Sequence, residues 1–394
     1  MVSARRKFAL PVLCAVLLSC ASAGSAREVP WVAGPTTNSV YVCLEDTGTA
    51  NVTVDYGLTP SFGSQAFTEN YQATDYGYNV HNVKLTSLQP NTRYYYRVTN
   101  PTTSLVTATY SFYTAPAPGT NARWGFAADC RTDTTWHNTM AGLIDAQNPR
   151  MMVYGGDLCY GATWPYWNQQ WFMAPYNPSL TNQITLNATT PWVNATGNHE
   201  GWNALSQAFT QGPGGDGNGY YSFDYGDTHI TIVNNYASGG DSVGSAQYNW
   251  VANDLANTTR KWKVVAFHEP AYSYGSHGGN ADMQAMTNNL FEVYGVDVVL
   301  AGHNHFYEHV LLDGIHHMTI GSFGVGTATP TTGPGYVYGE STRCFGIFEP
   351  TPDNLILKTY RQDGTLIETI VIPEPATLSL LALGAMAVLR RKRK

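Results

Sequence analysis

Five times between Arg123 and His305, an apolar run of strand length ends in residues able to hold a metal ion. Trp124 to Ala128 leads into Asp129, and Met151 to Tyr154 into Gly155-Gly156-Asp157-Leu158-Cys159-Tyr160. Trp192-Val193 leads to Gly197-Asn198-His199-Glu200, Val264 to Phe267 into His268, and Val296 to Ala301 into Gly302-His303-Asn304-His305. Helical patterns at Thr134–Ala146, Ala246–Asn257 and Ala281–Tyr294 lie between several of these runs. Strands alternating with helices predict an α/β sheet, and such sheets gather ligands at the carboxyl ends of their strands. All five blocks then lie at one end of one domain.

The residue types suit a pair of cations. Two ions about 3.5–4 Å apart need a shared carboxylate with oxygen and nitrogen donors around it. Asp157 is the expected bridge, with Asp129 on one side. Asn198 offers a neutral amide oxygen on the other, and His268, His303 and His305 add imidazoles. Gly155, Gly156, Gly197 and Gly302 allow sharp backbone turns beside the ions.

The block order resembles the calcineurin-like metallophosphoesterase superfamily and, within it, the purple acid phosphatases. Most of the superfamily opens with Asp-x-His. Here that position is Arg131, which stays protonated and cannot ligate. Purple acid phosphatases also lack that histidine and use the tyrosine of Gly-Asp-x-x-Tyr, which here is Tyr160. His268-Glu269-Pro270 and Gly302-His303-Asn304-His305-Phe306-Tyr307-Glu308 extend the resemblance. It implies a four-layer αββα sandwich and hydrolysis of phosphate monoesters by in-line attack of metal-bound hydroxide.

The resemblance also implies a ligand set. A phenol with a pKa of about 10 ionises in acid only on a strong Lewis acid, and phenolate favours Fe(III). Fe(III) is expected on Asp129, Asp157, Tyr160 and His305. A divalent ion (Fe, Zn or Mn) is expected on Asp157, Asn198, His268 and His303. His199 and His277 are the expected substrate-facing catalytic histidines. Glu269 is expected to orient His268 or Asn198.

Residues 27–118 read as a separate all-β unit. Asn38–Leu44, Asn51–Tyr56, His81–Leu85 and Arg93–Val98 alternate as strands. Leu88-x-Pro90-x-Thr92-x-Tyr94-x-Tyr96-x-Val98 resembles the strand pair near a fibronectin type III tyrosine corner. No chemistry is visible in this unit, and His81 reads as structural. Ala115-Pro116-Ala117-Pro118-Gly119 reads as the linker, and residues 119–372 as the catalytic domain.

Both ends read as addresses. Arg5-Arg6-Lys7 before an apolar run from Phe8 to Leu18 predicts an export signal over residues 1–26, by the general or the twin-arginine route. From residue 373 to 394, Pro373-Glu374-Pro375 precedes the apolar run Ala376–Leu389 and five basic residues. The run spans about 21 Å as a helix, short of the roughly 30 Å hydrocarbon core. This order resembles the PEP-CTERM sorting signal of Gram-negative bacteria. It implies transient membrane anchoring, removal by an exosortase, and a periplasmic, surface or extracellular destination.

Charge narrows the partners. Eight of the 21 basic residues sit in the two terminal clusters, 5–7 and 390–394, leaving 13 against 28 acidic residues and a net charge of −15 for the chain between them. Such a charge excludes nucleic-acid binding through a basic patch. Metal ions would have to supply the positive field for a phosphate ester. Cys43, Cys130, Cys159 and Cys344 form no Cys-x-x-Cys pair, which argues against a zinc–thiolate site. Cys130 and Cys159 flank ligand positions and either support the site or pair with each other. His137, His229, His309, His316 and His317 read as supporting residues, and Trp164, Tyr166, Trp167, Trp171 and Phe172 as packing and pocket wall.

Two other functions remain open from the residues. One is a phosphodiesterase or nucleotide pyrophosphatase on the same core. The other is a non-catalytic surface or matrix protein whose metals are structural.

Overall fold

The five apolar runs form the strands Trp124–Ala127, Met152–Tyr154, Trp192–Asn194, Trp262–Ala266 and Val298–Ala301. The computed structural model describes residues 29–173, 181–201 and 218–374. The export signal and residues 375–394 of the sorting tail lie outside the described residues. Among the described residues, no helix is long and apolar enough to cross a membrane.

The first three strands pair in parallel, with Gly125 opposite Met152 and Met152 opposite Trp192. Their carboxyl ends are therefore level. The last two also pair in parallel, with Val264 opposite Val298, in a second sheet. Side chains of both sheets interdigitate in one core that includes Phe126, Val153, Val193, Ile230, Val264, Leu300 and Ile320, all buried. Trp124 stacks on Phe348 at 3.9 Å between ring centroids. This contact locks the antiparallel strand Cys344–Pro350 beside Trp124–Ala127.

Helices cover the outer faces. On one side Thr134–Ala146 and Thr181–Thr189 pack with Trp164, Trp167, Trp171 and Phe172. On the other, Ala246–Asn257 and Ala281–Met286 pack with Phe267 and Phe291. Asp133, Ser245 and Asn280 each accept backbone N–H bonds from the first turn of the helix they precede. The helical pattern at Ala281–Tyr294 is broken into Ala281–Met286, a π-helical turn Thr287–Phe291 and Glu292–Tyr294. The result is the four-layer αββα sandwich.

The preceding β unit shares one of those sheets. Trp31–Ala33 pairs in parallel with Trp192–Asn194 through Ala33 opposite Trp192, and antiparallel with Val40–Asp46. The ten-stranded sheet thus continues through Asn79–Leu85 and Asn70–Ala73. A five-stranded sheet packs on that extension around Val42, Val54, Val83, Tyr94, Tyr96 and Phe112. The tyrosine corner forms, because the Gln89 N–H donates to the Tyr94 hydroxyl at 2.9 Å. The connecting segment is itself held. Ala115 donates to the Thr36 carbonyl, and the Gly119 N–H donates to Asp227 Oδ1 at 2.7 Å.

Candidate metal centre

Level strand ends deliver the loops of both sheets to one place. Asp129, Asp157 and His268 each offer one ligand atom within 4.8 Å of the others, and all three are buried. Three proposed ligand residues hold left-handed backbone, with φ of +58° at Asp129, +55° at Asp157 and +65° at His303. Non-glycine residues rarely adopt it, and such strain gathers at functional sites.

The loops are braced by buried polar contacts. Asp129 Oδ2 accepts the His303 N–H at 2.8 Å, which ties the first block to the fifth. Asp157 Oδ1 accepts the His199 N–H at 3.0 Å, which ties the second to the third. Glu200, fully buried, takes the N–H groups of Asp157 and Gly197 on one oxygen, each at 2.9 Å. Burial, then the nearby Asp157 charge, pushes Glu200 up to about 8. Glu200 stands in the Gly-Asn-His-Glu block with Gly197, yet its second partner, Asp157, lies 43 positions away and left no local signal. A Cβ at Gly197 would overlap the Asp157 backbone nitrogen and Oδ1. Only glycine fits that approach.

The donors fit a cation. His268 Nδ1 lies 2.7 Å from the Gly155 carbonyl, so it carries the hydrogen and leaves the Nε2 lone pair facing inward. That Nε2 meets Asn198 Oδ1 at 3.2 Å and Asp157 Oδ1 at 3.4 Å. Three electron-rich atoms converge and call for positive charge between them. Burial pushes His268 down, but Asp157, Asp129 and Glu200 outweigh it and raise its pKa, as the same demand requires. Asp129 Oδ1, buried and without a hydrogen bond, lies 3.5 Å from His305 Nε2. Burial and the neighbouring His268 push His303 down to about 4, which keeps its ring neutral and able to ligate.

The remaining sequence-named residues surround this cluster. The His303 ring lies 5.1 Å from His268 and 4.4 Å from His277. Asn304 accepts the His277 N–H at 3.2 Å and anchors that loop through Ser273. His199 Nδ1 lies 3.1 Å from the Tyr160 carbonyl, and its Nε2 lies 3.7 Å from Asp157 Oδ2. Tyr160 stands at the rim, half exposed, with its ring 4.9 Å from His199 and 5.6 Å from the Arg131 guanidinium. Among the described residues, no hydrogen bond ties its hydroxyl to the other donors. Arg131 Nη2 lies 3.5 Å from His305 Nε2.

Other expectations find a different place. Glu269 accepts from the Tyr236 hydroxyl and from Asn280, each at 2.7 Å, instead of bonding His268 or Asn198. Asn235 takes the backbone N–H groups of His268 and Glu269. Cys130 and Cys159 are separate buried thiols. His229 sits between Asp224 and Asp254, and His309 between Glu368 and His316.

Comparison with known proteins agrees with this architecture. Family models match calcineurin-like phosphoesterase over residues 133–307 and the purple acid phosphatase N-terminal domain over 15–114. The PEP-CTERM protein-sorting motif matches over 371–394. Purple acid phosphatase 23 of Arabidopsis thaliana is 29% identical over 293 residues, covering 66% of this chain and 62% of the relative. Purple acid phosphatase 22 of the same plant is 30% identical over 308 residues, covering 70% and 65%. The chain thus spans less than two thirds of the length of these relatives. A purple acid phosphatase from yellow lupin seeds shares the fold, with a TM-score of 0.74 at 20% identity over 89% of this chain and 74% of that one. The level strand ends, the matched N-terminal unit and these relatives agree: both halves of this chain match family models of the calcineurin-like phosphoesterases and purple acid phosphatases, and the relatives it resembles are purple acid phosphatases.

Proposed function

We propose that this protein is an exported binuclear-metal phosphatase that hydrolyses phosphate monoesters. The observation that carries this reading is the convergence of Asp129, Asp157, Asn198, His268, His303 and His305 at one edge of two packed sheets, with His199 and His277 beside them. We assign Fe(III) to Asp129, Asp157, Tyr160 and His305, and a divalent ion (Fe, Zn or Mn) to Asp157, Asn198, His268 and His303. When bound, such a pair supplies Lewis acidity, an activated water and neutralisation of phosphate charge.

The chain's own residues do the rest. His199 holds Nδ1 against the Tyr160 carbonyl, which leaves Nε2 to give a proton to the leaving ester oxygen. His277, its backbone held by Asn304 and its ring 4.4 Å from that of His303, is the second histidine we assign to the phosphate. Asn304 and Glu200 keep both histidine loops in place, so little ordering is left to the substrate. The sorting motif supports export followed by recognition of the tail by an exosortase.

The test is metal removal and return with p-nitrophenyl phosphate as substrate. Turnover should vanish with chelation and return with iron plus a divalent ion. Asp157→Asn should stay inactive throughout while keeping its circular dichroism spectrum. Unchanged turnover in stripped protein would overturn the proposal. An oxidised, fully loaded sample that is colourless would remove the Fe(III)–tyrosinate assignment alone.

A further inference from the structure

The preceding β unit carries no catalytic chemistry, yet it grips the segment that orients His199. Glu45, on the strand Val40–Asp46, is almost fully buried. Its Oε2 accepts the Trp164 indole N–H at 2.5 Å and an Asn168 amide N–H at 2.6 Å. Asp75, just beyond the strand Asn70–Ala73, accepts the Trp164 backbone N–H at 2.9 Å. Trp164 opens a short helical turn, and Asn168 lies in the π-helical turn Trp167–Trp171 that follows. Two carboxylates of the β unit therefore fix one segment of the catalytic half. Hydrogen bonds buried away from water are electrostatically stronger than exposed ones.

The held segment reaches the metal centre through one side chain. Gln170 Oε1 accepts the Tyr160 N–H at 2.8 Å and the Thr132 N–H at 3.2 Å. It thereby ties the turn after Asp129 to the loop after Asp157. The Tyr160 carbonyl, at the other face of that residue, meets His199 Nδ1 at 3.1 Å. The path from Glu45 to the His199 ring has no gap: carboxylate, π-helical turn, Gln170 amide, Tyr160 backbone, imidazole.

We infer that Glu45 and Gln170 are positioning residues for His199, through which the N-terminal β unit sets the geometry of proton delivery to the leaving group. This rests on the proposed phosphatase reading. As a water oxygen bonds to phosphorus and releases its proton to solvent, the ester P–O bond breaks, and His199 gives its Nε2 proton to the departing oxygen and is left neutral. A ring held at Nδ1 presents Nε2 in one direction, whereas a ring released from the Tyr160 carbonyl does not.

The test separates positioning from simple support by its leaving-group dependence. Gln170→Met removes the acceptor at a half-buried position and keeps the side chain's bulk. Glu45→Gln weakens the grip from the other end. Metal content and thermal midpoint are measured for each, with kcat and KM on p-nitrophenyl phosphate and on an alkyl phosphate. The nitrophenolate leaves without a proton, whereas the alkoxide needs one. The expected result is a kcat loss of about tenfold or more on the alkyl ester, under about threefold on the nitrophenyl ester, and unchanged metal content. Equal losses on both esters would overturn the positioning role and leave the phosphatase reading standing. A wild type that turns over neither ester would overturn both.

Discussion

Arg131 Nε donates to Asp157 Oδ2 across 3.0 Å, with the arginine side chain 13% exposed and the aspartate 1%. A permanent cation therefore stands against the carboxylate expected to bridge two metal ions. In metal-free protein it offsets the charge that Asp129 and Asp157 place together. Arg131→Met should destabilise metal-free protein by about 2–3 kcal/mol, the range for a charged hydrogen bond whose partner stays buried. In metal-loaded protein the loss should be about half as large, because the ions supply the missing charge. Urea denaturation with and without chelator measures both. Equal losses would show that the guanidinium plays no part in balancing the carboxylates.

Gly197 has no room for a side chain, since a Cβ there would overlap the Asp157 backbone nitrogen and Oδ1. Gly197→Ala should push Asp157 from its place. We expect metal affinity to fall on the order of 10–100-fold, as when a group that orients a ligand is lost. Turnover at limiting metal should fall with it. Metal titration followed by isothermal calorimetry is the measurement, and wild-type affinity in the variant would contradict the packing described.

The cluster around His229 predicts a pH dependence of stability away from the site. Burial alone would lower this imidazole, but its bonds to Asp224 and Asp254 outweigh that and raise it to about 9. A folded value above the unfolded one, about 6.5, means the stabilisation is complete below that pH. It is lost as pH climbs through 9. Asp254 works in the opposite direction. Burial would raise it, His229 more than reverses this, and its contribution disappears as pH falls through its lowered value. Wild type should lose on the order of 2 kcal/mol between pH 6 and pH 10 from His229. Asp254→Asn should flatten that slope. Thermal midpoints across the range decide it, and parallel curves for the two proteins would refute the assignment.

Much of the site was legible because its signals are local. An apolar run followed by Asp129, Asp157, Asn198, His268 or His303 needs only neighbouring residues to be recognised. The same holds for Tyr94, five positions from its partner Gln89. Parallel pairing then makes the convergence nearly obligatory. The contacts that tune the site were not legible. Glu45 meets Trp164 across 119 positions, and Arg131 meets His305 across 174. A buried polar pair of that kind has no period and no spacing rule. Glu269 shows the converse, since adjacency to His268 suggested a partnership that Tyr236 and Asn280 satisfy instead.

Ala33 lying opposite Trp192 knits the front of the chain into the catalytic sheet by main-chain bonding. A protease cut between Pro116 and Gly119 would therefore not release two free pieces. The fragments would stay clasped as a nicked, two-chain molecule, held by strand pairing across the cut.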